Sequence, residues 1–434
     1  MSPEMIGVLG VVVLFIFLLC RMWVGVALGL VGFIGIFLMR GFDQAIAVMG
    51  GAPFQNITTY TITVLPMFTL MGMIISESSI GKNLFKVGYN WIGSAPGGLA
   101  SASIVASGML GAICGSHMVG TVIMTKIALP EMKRYKYDDG FATAAIAAGA
   151  PLSIIIPPSM PLILYGILTE QNIGMLFMSG ILPGLLMILI FVLIITVICS
   201  RNKALGPAGD IVPMREKLSS LTGVLPVIIL FLLVLGGIYM GVFTTTESGA
   251  IGAICAFIIA LTMKSLNGKK IWVALKETAL TVCMMLFLLA GTFIFIVFIT
   301  LSKLPFLLSN FIINLNTNHW VLVLAVAALY IILGMILPEI TMIALTVPIL
   351  YPALAAVGFD PIWLGIFITL MMALGAITPP IGMIVFIVSG LSGVSVIRIF
   401  KACIPFIIGD LAVIACVAVF PALATWIPSM MVAH

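Results

Sequence analysis

Two segments carry residue types that can do chemistry inside a bilayer: Ile155-Ile156-Pro157-Pro158-Ser159 and Ile377-Thr378-Pro379-Pro380-Ile381. Each Pro-Pro pair interrupts a long apolar stretch, and the two pairs lie 222 residues apart. A double proline removes two backbone donors and breaks a helix. A bilayer tolerates the freed backbone groups only where protein covers them or a cavity receives them. Such a break leaves unpaired carbonyls on one side and unpaired amides on the other. The carbonyl ends suit a hard cation such as Na⁺, and the amide ends, with their partial positive charge, suit an anion. Interrupted spans at matching positions in two halves of a chain point to the binding site of a secondary transporter.

The elements that hold these breaks are membrane helices. The chain is 62% hydrophobic and 8% charged, with a mean hydropathy of +1.33. Apolar runs long enough to span recur from end to end, which no soluble domain shows. The first run, Ile6 to Cys20, lacks a basic leader and a small-residue cleavage site, and it reads as a retained span. The net charge of +5 comes from Lys and Arg in loops, with no basic, aromatic-laced patch for nucleic acid. Seven cysteines, none in a C-x-x-C spacing, read as small hydrophobes.

At the same offset of 222, Pro130 pairs with Pro352, Tyr137 with Phe359, Asp138 with Asp360 and Pro183 with Pro405. Two repeats follow, 1–210 and 222–434, joined by the polar linker Arg201–Lys217. With residues 133–138 placed in the cytoplasm, 16 of the 19 Lys and Arg fall on the inside, as charge bias demands. The same trace puts 355–360 outside, so the repeats are inverted. The predicted fold is an all-α polytopic membrane protein with about ten spans, two re-entrant helical hairpins and both termini outside. The hairpins are 97–131, with its tip near Cys114–His117, and 319–352, with its tip at Leu337-Pro338-Glu339. Each precedes a broken span, 140–168 or 362–392. Two tips meeting two breaks would give cation sites flanking an anion site near the midplane.

Across nearly its whole length the chain resembles the large membrane subunit, of the DctM type, of tripartite ATP-independent periplasmic (TRAP) transporters. The first signature reads Gly115-Ser116, Leu129-Pro130-Glu131-Met132, Lys136-Tyr137-Asp138, Ile156-Pro157-Pro158-Ser159 and Leu164-Tyr165-Gly166. The second reads Leu333-Gly334-Met335, Pro348-Ile349-Leu350-Tyr351-Pro352, Gly358-Phe359-Asp360-Pro361 and Gly375-Ala376-Ile377-Thr378-Pro379-Pro380-Ile381-Gly382. The chain departs from the family at Pro338-Glu339, where the family usually has an acidic residue followed by Pro, at Pro151 and Ser153, where it usually has small residues, and at His117.

The resemblance implies a Na⁺-driven importer of small organic anions in the bacterial inner membrane, working by an elevator movement. It also implies two partners on separate chains, a small four-helix membrane subunit and a periplasmic substrate-binding protein. Cation contacts are expected from Gly115, Ser116, Gly149 and Ser153 in the first half, and from Gly334, Pro338, Gly375 and Thr378 in the second. No Lys or Arg falls near the midplane in the trace. The anion is therefore expected to rest at Pro158 and Pro380, on the helix N-terminal amides that follow these breaks and the two tips, with Ser159 and Thr341 as hydroxyl donors.

Other polar residues read as structural. Thr244 and Glu247 have capping-box spacing. Asp410, about two turns into an apolar span, is expected to make a structural hydrogen bond, although a carboxylate at such depth is by default a functional candidate. Gly81–Trp91 fits either an interfacial helix between fixed and moving parts or a polar loop. Three other classes of function stand beside the leading one. A stand-alone carrier would need no binding protein, and a channel would show flux without saturation. A membrane enzyme or electron-transfer subunit would need ligands that three His (His117, His319, His434) and no Cys cluster do not supply. The chain is therefore not expected to be an enzyme.

Overall fold

The computed structural model describes residues 2–314 and 318–431. Residues 315–317 and 432–434, His434 among them, lie outside the described residues. Every regular element among those described is helical. The fold is all-α and polytopic. Among the described residues six helices are long and apolar enough to cross a membrane, and up to eight spans result when each bent helix pair is taken as one. Pro3–Leu19 and Val24–Arg40 are shorter apolar helices.

Helix starts are written by local capping chemistry. Asp138 and Asp360 cap the two broken spans by accepting from the amides of Phe141 (2.9 Å) and Trp363 (2.8 Å). Asn172 and Asn267 cap the long helices Ile173–Arg201 and Gly268–Leu301 in the same way. Thr244 and Glu247 form the expected capping box. Each half of the chain then runs through comparable helices. Pro3–Leu19, His117–Arg134 and Asp139–Gly149 are each followed, 222 residues on, by the starts of Leu225–Tyr239, Glu339–Ala356 and Pro361–Ile377. The halves differ in several places, one of them near the start of each. Phe42–Ile57 and Tyr60–Ser76 meet at a bend of 61°, whereas the second half has one continuous 34-residue helix, Gly268–Leu301.

The centre of the molecule is the first broken span. Its three helical pieces, Asp139–Gly149, Leu152–Ile155 and Met160–Thr169, are buried almost throughout. The second span, Pro361–Ile377 and Met383–Ser392, packs beside it, and the Tyr165 hydroxyl donates to the Pro361 carbonyl at 2.8 Å. A separate apolar core joins Leu14, Leu28, Val31, Phe295 and Phe298 of the helices Pro3–Leu19, Val24–Arg40 and Gly268–Leu301. Gly291 lets the last two approach closely, because a Cβ there would lie 2.0 Å from the Gly25 carbonyl oxygen.

Segment Ile80–Ile92 is a helix, not a polar loop. It buries Leu84 and Phe85 and leaves Lys82 and Lys86 exposed, and the short helix Met214–Leu221 of the linker packs against it. The linker itself is strapped to the base of the first hairpin. Gly97 donates to the Gly206 carbonyl (2.9 Å) and Gly209 to the Gly93 carbonyl (2.8 Å), while Tyr135 donates to Asp210.

Candidate functional site

The first hairpin consists of Gly98–Cys114 and His117–Arg134, packed on each other and joined by Gly115-Ser116. Gly115 has φ +60°, a left-handed turn that Gly adopts without cost from a side chain. The second hairpin consists of His319–Gly334 and Glu339–Ala356, joined through Pro338. The two tips meet. His117 and Glu339, each the first residue of its hairpin's second helix, lie with Nε2 and Oε2 3.3 Å apart. Both side chains are buried. The distance is that of an ion pair, yet both ring nitrogens and Oε2 lack a hydrogen-bond partner among the described residues.

A cavity of about 610 Å³ opens in front of the joined tips. Gly115, Ser116, Pro338, Glu339 and Thr341 line one wall, with Thr69 and Met160 beside them. Glu277, Thr281, Met285 and Leu288 of the helix Gly268–Leu301 line the opposite wall, and Met22 and Trp23 flank it. None of the lining residues is Lys, Arg or His.

The expected cation contacts fall into three places. Gly115, Ser116 and Pro338 are at the tips and on the cavity. Gly149 and Ser153 lie deeper, against the first hairpin's first helix. A Cβ at Gly149 would sit 2.7 Å from Ser107 Oγ, and one at Gly111 would sit 2.4 Å from Ser153 Cα. The hydroxyls of Ser107 and Ser153 are both buried with no hydrogen-bond partner, an arrangement that a bound cation would satisfy. In the second half Gly334 and Gly375 touch: a Cβ at Gly375 would lie 2.7 Å from Gly334 Cα. Thr378 has its hydroxyl engaged, donating to the Leu374 carbonyl at 2.6 Å.

Of the expected anion contacts, only Thr341 lines the large cavity. Ser159 caps the helix Met160–Thr169 and its hydroxyl donates to the Ile154 carbonyl at 2.5 Å, so it is used within the protein. Pro158 is buried, and its carbonyl faces Gly115. Pro380 is exposed. Sequence reading did not place Thr69, Glu277, Thr281 or Ser107 at the site. Glu277 and Thr281 are four apart in a long apolar helix, the spacing that puts both on one face, and that spacing was legible. Asp410 departs from expectation as well. It is fully buried in Val396–Val419, and neither of its carboxyl oxygens finds a hydrogen bond among the described residues.

Two hairpin tips meeting over a cavity, beside two broken spans in an all-α multi-pass body, define a membrane transporter component. Residues 11–423 match the family described as tripartite ATP-independent periplasmic transporter, DctM component, and the chain belongs to that family. It is 29% identical over 377 residues to the C4-dicarboxylate TRAP transporter large permease protein DctM of Pseudomonas aeruginosa, covering 87% of this chain and 88% of that one. It is 28% identical over 381 residues to the sialic acid TRAP transporter large permease protein SiaM of Vibrio cholerae, covering 87% and 88%. To the 2,3-diketo-L-gulonate TRAP transporter large permease protein YiaN of Escherichia coli it is 26% identical over 383 residues, covering 88% and 89%. Among solved structures, the YdaH transporter of Alcanivorax borkumensis matches with a TM-score of 0.63 at 14% identity, covering 88% of this chain and 90% of that one. MtrF of Neisseria gonorrhoeae matches with a TM-score of 0.58 at 12% identity, covering 96% and 95%. At these identities the two structures share the fold alone. As a TRAP large permease, the chain is a multi-pass protein of the inner membrane.

Proposed function

We propose that the chain is the permease of a Na⁺-coupled importer that takes a small organic acid from a periplasmic binding protein and works with a small membrane subunit. The observation that carries this reading is the meeting of both hairpin tips on one cavity, opposite the helix Gly268–Leu301. Relatives named for C4-dicarboxylate, sialic acid and 2,3-diketo-L-gulonate support a carboxylic acid as cargo. The recurrence of helix starts at an offset of 222 supports two repeats, and the alternation of basic loops is what supports their inversion and the ten spans.

The alternation of basic loops sets the direction. Trp23 and Glu277, two of the residues that line the cavity, lie next in sequence to Arg21 and Lys276, which the charge bias assigns to the cytoplasm. Import by an elevator would carry the hairpins and broken spans, as one body, past the helices Val24–Arg40 and Gly268–Leu301.

Na⁺ would be held by backbone carbonyls at Gly115 and at the helix breaks and by the orphaned hydroxyls of Ser107 and Ser153. Bound there, it supplies positive charge that the cavity wall itself lacks. Hard oxygen ligands are what such a cation takes. The test is uptake into proteoliposomes holding all the subunits. Uptake should require an inward Na⁺ gradient and no ATP. Uptake that runs equally in K⁺ with no Na⁺ present would refute the coupling.

A further inference from the structure

Glu339 places an acceptor in a cavity otherwise furnished with hydroxyls. Its side chain lines the cavity and also the small void that holds His117. It is more than nine-tenths buried, and Oε2, turned towards His117, has no hydrogen bond among the described residues. Ser116, facing the same space, makes no capping bond with its hydroxyl, and Thr341 stands two residues beyond Glu339. An ionised carboxyl accepts and never donates. A second carboxylate brought against it would leave two buried acceptors opposed, each without a proton to share. A hydroxyl or ammonium group would satisfy it.

We infer that Glu339 is a specificity-determining residue, and that this site selects a carboxylic acid carrying a hydroxyl or ammonium donor over a dicarboxylic acid. The inference rests on the reading of the cavity as the substrate site. The cargo's carboxylate sits with the tip amides and hydroxyls of Ser116 and Thr341. Its donor group reaches Glu339, which His117 holds from behind at 3.3 Å. Sites built to hydrogen-bond a donor reject the analogue that lacks it far more strongly than apolar pockets reject a missing methylene.

The test uses three probes that share one four-carbon chain and one carboxylate and differ at the far end: 4-hydroxybutyrate, 4-aminobutyrate and succinate. Each is titrated against the purified full-length chain in lipid nanodiscs with NaCl present. At least one of the first two should bind about tenfold or more tighter than succinate, and which one it is separates a hydroxyl reader from an ammonium reader. Glu339→Gln should bring the ratio to within about twofold of one. If that variant does not fold, the double variant His117→Gln/Glu339→Gln carries the same comparison, because it also removes the stranded imidazole. Succinate binding as tightly as both others, or a ratio unmoved by removal of Glu339, overturns the inference. Thr341→Trp separates this failure from failure of the cavity reading. If it abolishes binding, the cavity is the site and only the selectivity is wrong. If binding of all three probes is unchanged, or no probe binds the wild type, the reading of the cavity fails and the inference with it.

Discussion

His117 Nε2 lies 3.3 Å from Glu339 Oε2. The two residues stand 222 positions apart, the offset that relates the two Pro-Pro breaks. Each opens the second helix of its hairpin. The pair therefore joins the equivalent points of the two hairpins, with Glu339 on the wall of the cavity and His117 behind it.

Removal of one partner strands the other in a buried site. His117→Ala or Glu339→Ala is expected to cost about 3–5 kcal/mol, the penalty for leaving one member of a buried pair alone. The double variant should cost less than the sum of the two by about 0.5–3 kcal/mol. Thermal unfolding of the four purified proteins checks this. Strict additivity would show that the two side chains do not interact.

The contact of Gly334 with Gly375 leaves no room for a side chain, since a Cβ on Gly375 falls 2.7 Å from Gly334 Cα. The atoms in the way are backbone. Gly375→Leu is expected to separate the second hairpin from the second broken span and to abolish uptake. Gly375→Ala should destabilise by about 1–3 kcal/mol, the usual cost of overpacking. Gly149→Val meets Ser107 Oγ at 2.7 Å and should act likewise at the first hairpin. Full uptake by both bulky variants would place the transport site elsewhere.

Asp138 ties the first broken span to the helix Val396–Val419. It caps the first broken span through the Phe141 amide (2.9 Å) and accepts from Arg398 at 2.6 Å. Partial burial pushes its carboxyl up, but the Phe141 amide and the Arg398 guanidinium outweigh that and hold it below the usual carboxylate range. A group depressed in the folded state stabilises at pH values above its unfolded pKa, about 3.9, and the contribution is lost as pH falls through the lowered value. Asp138→Ala should therefore lower the melting temperature at pH 7, and by progressively less as the pH falls below about 3.9. The cap contributes about 1 kcal/mol. The half-exposed ion pair contributes less than about 1 kcal/mol, so Arg398→Ala should be the milder change. A loss that stays equal as the pH falls would exclude the carboxylate as the source.

Asp410 is the buried carboxyl that nothing satisfies among the described residues. Replacing such a group by an apolar one of similar size removes a penalty of about 1–3 kcal/mol. Asp410→Leu should raise the melting temperature. A lowered melting temperature with Leu, restored by Asn, would reveal a hydrogen bond that the structure lacks. Loss of uptake in a stabilised Leu variant would assign Asp410 a part in transport.

The all-α membrane fold and the paired breaks were legible in the residues themselves. These are local properties. A run of apolar residues must span, a Pro-Pro pair must break a helix, and an Asp at a helix start, as at positions 138 and 360, caps it whatever lies nearby. The family was legible for the same reason, since its motifs are contiguous segments around Gly115-Ser116, Pro157-Pro158 and Pro379-Pro380.

Tertiary structure decided which of these features meet. Ser159 looked like a free donor, yet the chain folds so that its hydroxyl turns back on Ile154. The two Pro-Pro breaks are alike in sequence, but one is buried and the other exposed, because burial depends on what packs over a segment. The wall facing the tips comes from Glu277 and Thr281, far from either hairpin in the chain. His117 and Glu339 were each noted as departures from the family, but their partnership was invisible. Contact between residues so distant in sequence follows from how helices pack, and no local pattern encodes it.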